Sequence, residues 1–297
     1  MSVARHRACE WDAISAVHAG PELPARSAPV SAARRLGKRA FRAADRRFLA
    51  EGPQAVREAL AVPGNVSALF ATADGADRHP DLLATAAASG LEVRWVSGAV
   101  METLAQTVTP QGVLAVCAFL DVPLASVLAP PPGLVALLAN VRDPGNAGTV
   151  LRAADAAGAE AVVVTRSSVD VYNGKCVRAS AGSLFHLPVC VGVDVAAAVD
   201  ALRGAGVRVL AADGEGAADL DALDDAGELA GPTAWLFGNE AWGLPAELRA
   251  LADAVVRVPI HGRAESLNLA AAAAVCLYAS ARAQRRAGGC RFPREGK

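Results

Sequence analysis

The sequence predicts an α/β protein in two parts: a parallel sheet covered by helices over residues 134–286, and a smaller α/β domain over residues 31–118. Three observations carry this. Beyond residue 133, short apolar runs alternate with helical patterns, as parallel strands joined by crossover helices require. Before it, a shorter alternation leads up to Pro130-Pro131-Pro132, a run that extends the chain and cannot join a central strand. Three segments rich in glycine and asparagine follow apolar runs of the second part, and in such sheets ligands bind outside the carboxyl ends of the strands.

Taken in order, residues 1–30 have no sustained periodicity and read as a flexible tail. Helices are predicted at Ala32–Ala44, Pro53–Leu60, Pro80–Ala88 and Val100–Gln106, and strands at Ala68–Ala71, Glu92–Val96 and Val113–Cys117. Residues 119–133 form a proline-rich linker. Strands follow at Leu134–Ala139, Ala161–Thr165, Pro188–Val191, Val207–Ala211, Ala234–Phe237 and Val255–Val258. Helices are expected at Ala147–Ala157, Cys176–Ser180, Val195–Arg203, Pro245–Leu251 and Leu267–Gln284, before a second flexible tail over 287–297.

Composition narrows the class. A chain of 297 residues with 53% hydrophobic and 20% charged content has ample material for a core. The six cysteines include no Cys-x-x-Cys pair and the five histidines no ligand-spaced cluster, so neither a metal site nor a disulfide framework is expected. The N-terminal residues are charged and polar where a secretory signal needs an apolar core, so a cytoplasmic protein is expected. The longest uncharged stretch, Val122 to Val141, is broken by four prolines, which argues against a membrane span.

The net charge of −1 conceals a segregation. Arg26, Arg34, Arg35, Lys38, Arg39, Arg42, Arg46 and Arg47 fall within one stretch whose only acid is Asp45. Cations on neighbouring helical turns suit phosphate contact, with Arg34, Arg35, Lys38 and Arg39 as the candidates; a solvated helix face is the plainer alternative.

The first glycine-rich segment runs from Asn140 to Arg152 through Asp143-Pro144-Gly145-Asn146. It places amide donors and acceptors beside a strand end, although Asp-Pro-Gly-Asn is also an ordinary turn and cap. The second, Gly238-Asn239-Glu240-Ala241-Trp242-Gly243, sets a carboxylate in a turn where bare backbone can approach a ligand. The third ends a strand at Val258-Pro259-Ile260 and opens an alanine-rich helix at Ser266-Leu267-Asn268-Leu269, where Ser266 could equally be a helix cap.

Together the three segments resemble the signature motifs of the SpoU/TrmH family of RNA 2′-O-ribose methyltransferases. Arg47–Leu60 and Pro110–Val116 are similar to that family's small RNA-binding domain, which resembles ribosomal proteins. The resemblance implies a C-terminal domain tied in a trefoil knot, with S-adenosyl-L-methionine bound in it, and a homodimer whose chains complete each other's sites. It implies Asn146, Arg152, Glu240, Ser266 and Asn268 as catalytic-region residues, and Gly238, Asn239, Val258, Ile260 and Leu267 as cofactor contacts. Lys175 and Arg178 are further candidate RNA contacts. Ribosomal RNA is the first expectation for the substrate and transfer RNA the second.

A guanidinium stays charged at neutral pH, so Arg152 is expected to clamp a phosphate or stabilise an alkoxide rather than to accept a proton. Other chemistries lack their residues: Gly204-Ala205-Gly206 precedes a strand instead of joining strand to helix, and no phosphate-loop, nucleophile-elbow or zinc-protease pattern occurs. The competing expectation is a non-catalytic RNA-binding protein that retains the fold.

Overall fold

The computed structural model describes residues 21–288. They fall into two units. The first comprises residues up to 119 together with Tyr172–Phe185; the second comprises Leu120–Val171 and the residues from His186 onward.

The first unit is built on a four-stranded sheet in the order β1-β4-β2-β3, with β1 Arg47–Glu51, β2 Val66–Ala71, β3 Val93–Trp95 and β4 Val113–Ala118. β4 is antiparallel to both of its neighbours, and β2 runs parallel to β3. One face buries Leu49, Phe70, Leu114 and Val116 against Val30, Leu36 and Met101 from flanking helices. On the other, Phe48 meets Tyr172 and Phe185 with ring centroids 4.8 and 5.9 Å apart. That aromatic cluster seats Tyr172–Phe185, which sequence spacing assigns to the C-terminal domain.

The predicted helix Ala32–Ala44 is two helices, Ala28–Arg35 and Arg39–Asp45, separated at Gly37. Arg42, 3% exposed, turns back to donate to the carbonyls of Leu36 and Gly37 at 2.8 and 3.0 Å. It is therefore committed to the turn, while Arg34, Arg35, Lys38 and Arg39 are exposed. The tail expected over 1–30 is structured from its last third onward: Leu23 N–H donates to Trp95 O at 2.7 Å and the first helix begins at Ala28. The rest of that tail, and residues 289–297 of the second, lie outside the described residues.

The second unit holds a seven-stranded parallel sheet in the order β7-β6-β5-β10-β8-β11-β9. These are β5 Leu134–Leu138, β6 Ala161–Thr165, β7 Val189–Val193, β8 Arg208–Ala212, β9 Ala218–Asp219, β10 Thr233–Phe237 and β11 Ala254–Arg257. β5, β6 and β10 are buried along their whole length, as expected of strands covered on both faces. β9 and the helix Leu220–Asp225 arise where no element is predicted, and the short helix Leu124–Val127 lies within the expected linker.

The C-terminal helix Leu269–Arg286 packs on the helix Pro144–Ala157 and crosses β10 and β5. Ser280 fixes it by accepting from the Trp235 indole at 2.9 Å, which satisfies a fully buried N–H. Ala270 and Ala273 are buried in this chain's own packing, whereas Ala271, Val275 and Tyr278 form an outward stripe.

Candidate active site

Three chain segments leave neighbouring parts of the sheet and converge. After β5 the chain turns at Asn140, whose φ is +59°, and enters the helix Pro144–Ala157. Asp143 is that helix's N-cap, accepting from Asn146 N–H at 2.9 Å, and Pro144 occupies the first turn, where no N–H is needed. The residues Asp-Pro-Gly-Asn thus form the cap and first turn rather than a separate turn. Asn146 is left with its side-chain amide free of capping duty.

After β10 comes a tight loop. Asn239 N–H donates to Gly243 O at 2.9 Å, and Gly243 N–H to Asn239 O at 3.0 Å. A Cβ at Gly238 would lie 2.5 Å from the Gly243 carbonyl oxygen, so glycine is required there by the loop's own closure. Asn239, 6% exposed, donates to Asn140 O at 2.9 Å and accepts from Ala241 N–H at 2.8 Å. Its side chain ties the second segment to the first. Asp213, beyond β8, accepts from Leu244 N–H at 3.3 Å and braces the loop from the other side.

The third segment leaves β11 at Val258 and reaches the C-terminal helix at Leu269. The helix cap is Asn268, which accepts from Ala270 N–H at 2.9 Å; Ser266 is exposed and not a cap.

Two recesses result. A cleft of ≈ 840 Å³ is lined by Gly238, Asn239, Val258, Ile260, Ser266 and Leu267, with Asp213, Glu215, Leu244, Arg249 and Arg257 around them. An adjoining hollow of ≈ 500 Å³ is lined by Arg142, Asp143, Asn146 and Asn268. Asn239, Glu240, Ala241 and Trp242 border both.

In the hollow, Glu240 Oε1 accepts from Asp143 N–H at 3.0 Å and from Asn146 Nδ2 at 3.2 Å, while Oε2 accepts from Arg142 N–H at 3.2 Å. Partial burial pushes the carboxyl upward, but the N–H donors of its own backbone, Arg142, Asp143 and Asn146 outweigh it. Glu240 is held below the ordinary carboxylate range. It is therefore an anion at neutral pH, with its oxygens turned to donors, and a poor proton acceptor. Asn146 Oδ1 in turn accepts from Asn268 Nδ2 at 3.1 Å.

Of the residues expected at the site, Arg152 alone stands apart. It is exposed on the helix Pro144–Ala157 and lines neither recess of its own chain. In the first unit Lys175 is exposed, but Arg178 is paired with buried Glu51 at 3.1 Å and is not freely offered to RNA. Sequence reasoning passed over Arg142, Asp213 and Trp242 as site residues. The signal for Trp242 was present: a large aromatic inside a Gly-Asn-Glu turn has no strand or helix face to bury it.

The cleft suits S-adenosyl-L-methionine by size and chemistry. Its volume is that of a small-molecule site. Ile260 and Leu267, each 39% exposed, line it with apolar surface. Asp213, Glu215, Glu240 and Glu265 outnumber Arg249 and Arg257, which favours a ligand carrying positive charge.

The family model described as the SpoU rRNA Methylase family matches residues 133–278, and one described as the MRM3-like substrate binding domain matches residues 28–115. The 23S rRNA (guanosine(2553)-2′-O)-methyltransferase RlmP of Bacillus subtilis is 36% identical over 231 residues, 78% of this chain and 87% of the relative. The AdoMet-bound crystal structure of an rRNA methyltransferase from Sinorhizobium meliloti superposes with a TM-score of 0.77 at 32% identity, covering 88% of this chain and 97% of that one. The SpoU methyltransferase AviRb of Streptomyces viridochromogenes, in complex with AdoMet, gives 0.75 at 31% identity, over 88% and 100% of the two chains.

Proposed function

This chain belongs to the SpoU family and is an S-adenosylmethionine-dependent RNA 2′-O-ribose methyltransferase, and on that premise we propose that it methylates ribosomal RNA at the hollow between Asn146, Glu240 and Asn268. The rRNA substrates named for its relatives support that choice over transfer RNA. A non-catalytic RNA-binding protein would have no use for the cleft or for a polar relay aimed beside it.

The relay Glu240–Asn146–Asn268 is the observation that carries the assignment of the site. S-adenosylmethionine supplies a methyl group on a positively charged sulfur, and displacement by the ribose 2′-oxygen leaves a neutral thioether. The chain's own residues hold the two reactants. Gly238, Val258, Ile260 and Leu267 present backbone and apolar surface to the cofactor, and Asn239 fixes the loop that carries them. Ser266 borders the cleft beside the ribose hollow, where its hydroxyl can hold the nucleotide.

In the hollow, Asn146 after donating to Glu240, and Asn268 after donating to Asn146, each retain a second amide N–H. Those donors are placed to stabilise charge developing on the 2′-oxygen as its proton is lost. Glu240 orients Asn146 and is not the base.

Arg152 lies outside its own chain's recesses, and we assign it to a neighbouring protomer's site, as a phosphate clamp and electrostatic stabiliser. The outward stripe of Ala271, Val275 and Tyr278, the last two 43% and 48% exposed, supports a homodimer. A knotted C-terminal unit and a cytoplasmic setting complete the reading. Among the described residues no helix is long and apolar enough to cross a membrane.

The test is a comparison of Asn146→Ala and Glu240→Gln with wild type. Methyl transfer to RNA falls by two or more orders of magnitude in both variants while S-adenosylmethionine binds with near-normal affinity. Wild-type turnover in either variant would remove the relay from the mechanism.

A further inference from the structure

Trp242 is 62% exposed, and among the large exposed apolar side chains of the described residues it alone borders both recesses. Leaving an indole in water is unfavourable. Here the loop that carries it is tied down along its backbone. The two hydrogen bonds between Asn239 and Gly243, the Asn239 bonds to Asn140 O and Ala241 N–H, and the Asp213 brace on Leu244 hold the loop on every side. Gly243, at φ +64°, closes the turn immediately after the tryptophan.

The indole therefore stands on a rigid loop where the cofactor cleft meets the ribose hollow. When a nucleotide is splayed from a single-stranded segment to bring its 2′-hydroxyl to Asn146 and Asn268, its base loses its stacking neighbours and needs a new apolar face.

We propose that Trp242 is the stacking platform for the base of the nucleotide being methylated, a substrate-binding residue that acts on RNA affinity and not on the cofactor. The proposal rests on the assignment of the ribose hollow made above. Stacking tolerates any base, so Trp242 supplies affinity and orientation without choosing the sequence. Arg142, exposed on the same hollow, is placed to meet a flanking phosphate.

The experiment compares wild type, Trp242→Phe and Trp242→Ala in sedimentation velocity and in three functional measurements. These are the KM for an in vitro transcript of 23S rRNA, the Kd for S-adenosylmethionine alone, and the quenching of tryptophan emission by a pool of random single-stranded RNA decamers on protein loaded with S-adenosylhomocysteine. For the fluorescence measurement all three proteins carry Trp11→Phe, and Trp95 and Trp235 are buried, so the emission that disappears in Trp242→Phe is that of the exposed indole. Trp242→Ala raises the RNA KM on the order of ten- to a hundredfold, Trp242→Phe restores most of it, and the cofactor Kd stays within twofold. Quenching occurs in wild type and vanishes in Trp242→Phe.

An unchanged KM with no quenching overturns the proposal. So does a weakened cofactor Kd with normal RNA binding, which would give the indole to the adenine, or a shift to monomer in sedimentation, which would make it a subunit contact. If wild type leaves the transcript unlabelled, the ribosomal substrate fails; the decamer quenching then decides the stacking by itself.

Discussion

The Asn268 side chain donates to Asn146 Oδ1 at 3.1 Å, across 122 residues of sequence, and the orientation of both amides is fixed from their far ends. Ionised Glu240 only accepts, so Asn146 must turn Nδ2 toward it and Oδ1 toward Asn268. The Asn268 Oδ1 is held by Ala270 N–H, so its Nδ2 must face Asn146. A helix cap, a bridging amide and a carboxylate thereby set one donor direction through the hollow that Asn146, Glu240 and Asn268 line, and each amide keeps one N–H to spare.

Closure of the second loop depends on Gly238. Gly238→Ala places a methyl group against the Gly243 carbonyl and forces the loop outward. S-adenosylmethionine affinity falls at least tenfold by calorimetry, while the far-ultraviolet circular dichroism spectrum stays that of wild type. Undiminished affinity would show that the loop tolerates opening.

RNA affinity depends on the exposed cations of the first unit. Replacing Arg34, Arg35, Lys38 and Arg39 with glutamine weakens RNA binding, and the log–log dependence on salt becomes shallower by roughly 0.7–0.9 for each phosphate no longer neutralised. An unchanged slope would return these residues to solvent. Cofactor affinity is unaffected, since none of them lines the cleft.

Stability of the first unit depends on Glu51, 8% exposed. It accepts from Gln106 N–H at 3.0 Å, from the Thr107 hydroxyl and from Arg178 at 3.1 Å. Glu51→Ala leaves these donors without their acceptor and costs about 2–3 kcal/mol, read as a lower melting temperature, with Glu51→Gln recovering part of it. A loss below about 0.5 kcal/mol, the scale of an ordinary surface change, would contradict the role.

Three buried thiols, Cys117, Cys190 and Cys276, are inert in the folded protein. Burial pushes Cys276 up to about 12, and burial with the nearby Asp121 carboxylate pushes Cys190 up to about 11; Cys117 is raised further still by burial. A thiol-specific reagent at pH 8 leaves all three unlabelled until the protein is denatured, as peptide mapping would show. Labelling of native Cys276 would mean that the C-terminal helix opens readily.

The parallel sheet was legible because its strands are buried on both faces and read as unbroken apolar runs. Ala161–Thr165 and Pro188–Val191 needed only local pattern. β1 was not assigned because Arg47 and Glu51 bracket Phe48-Leu49-Ala50 and mask so short a run; Glu51 is buried for the sake of donors that arrive from distant segments. The break at Gly37 stayed hidden because the helical pattern continues through it, and only the fold-back of Arg42 explains why the carbonyls there are satisfied. The placement of Tyr172–Phe185 in the first unit depends on aromatic contacts with Phe48 that no local pattern encodes. At the site, glycine and asparagine spacing marked the loops correctly, yet the duties of Asn239 and Asn268 as loop tie and helix cap required the geometry.

The most direct test of the central claim is to incubate purified protein with tritiated S-adenosylmethionine and unmodified ribosomal RNA and to map the labelled position. The account predicts label at the ribose 2′-oxygen of one nucleotide, absent with the Asn146→Ala protein. Label on a base, or label that persists at the same site in Asn146→Ala, would contradict it.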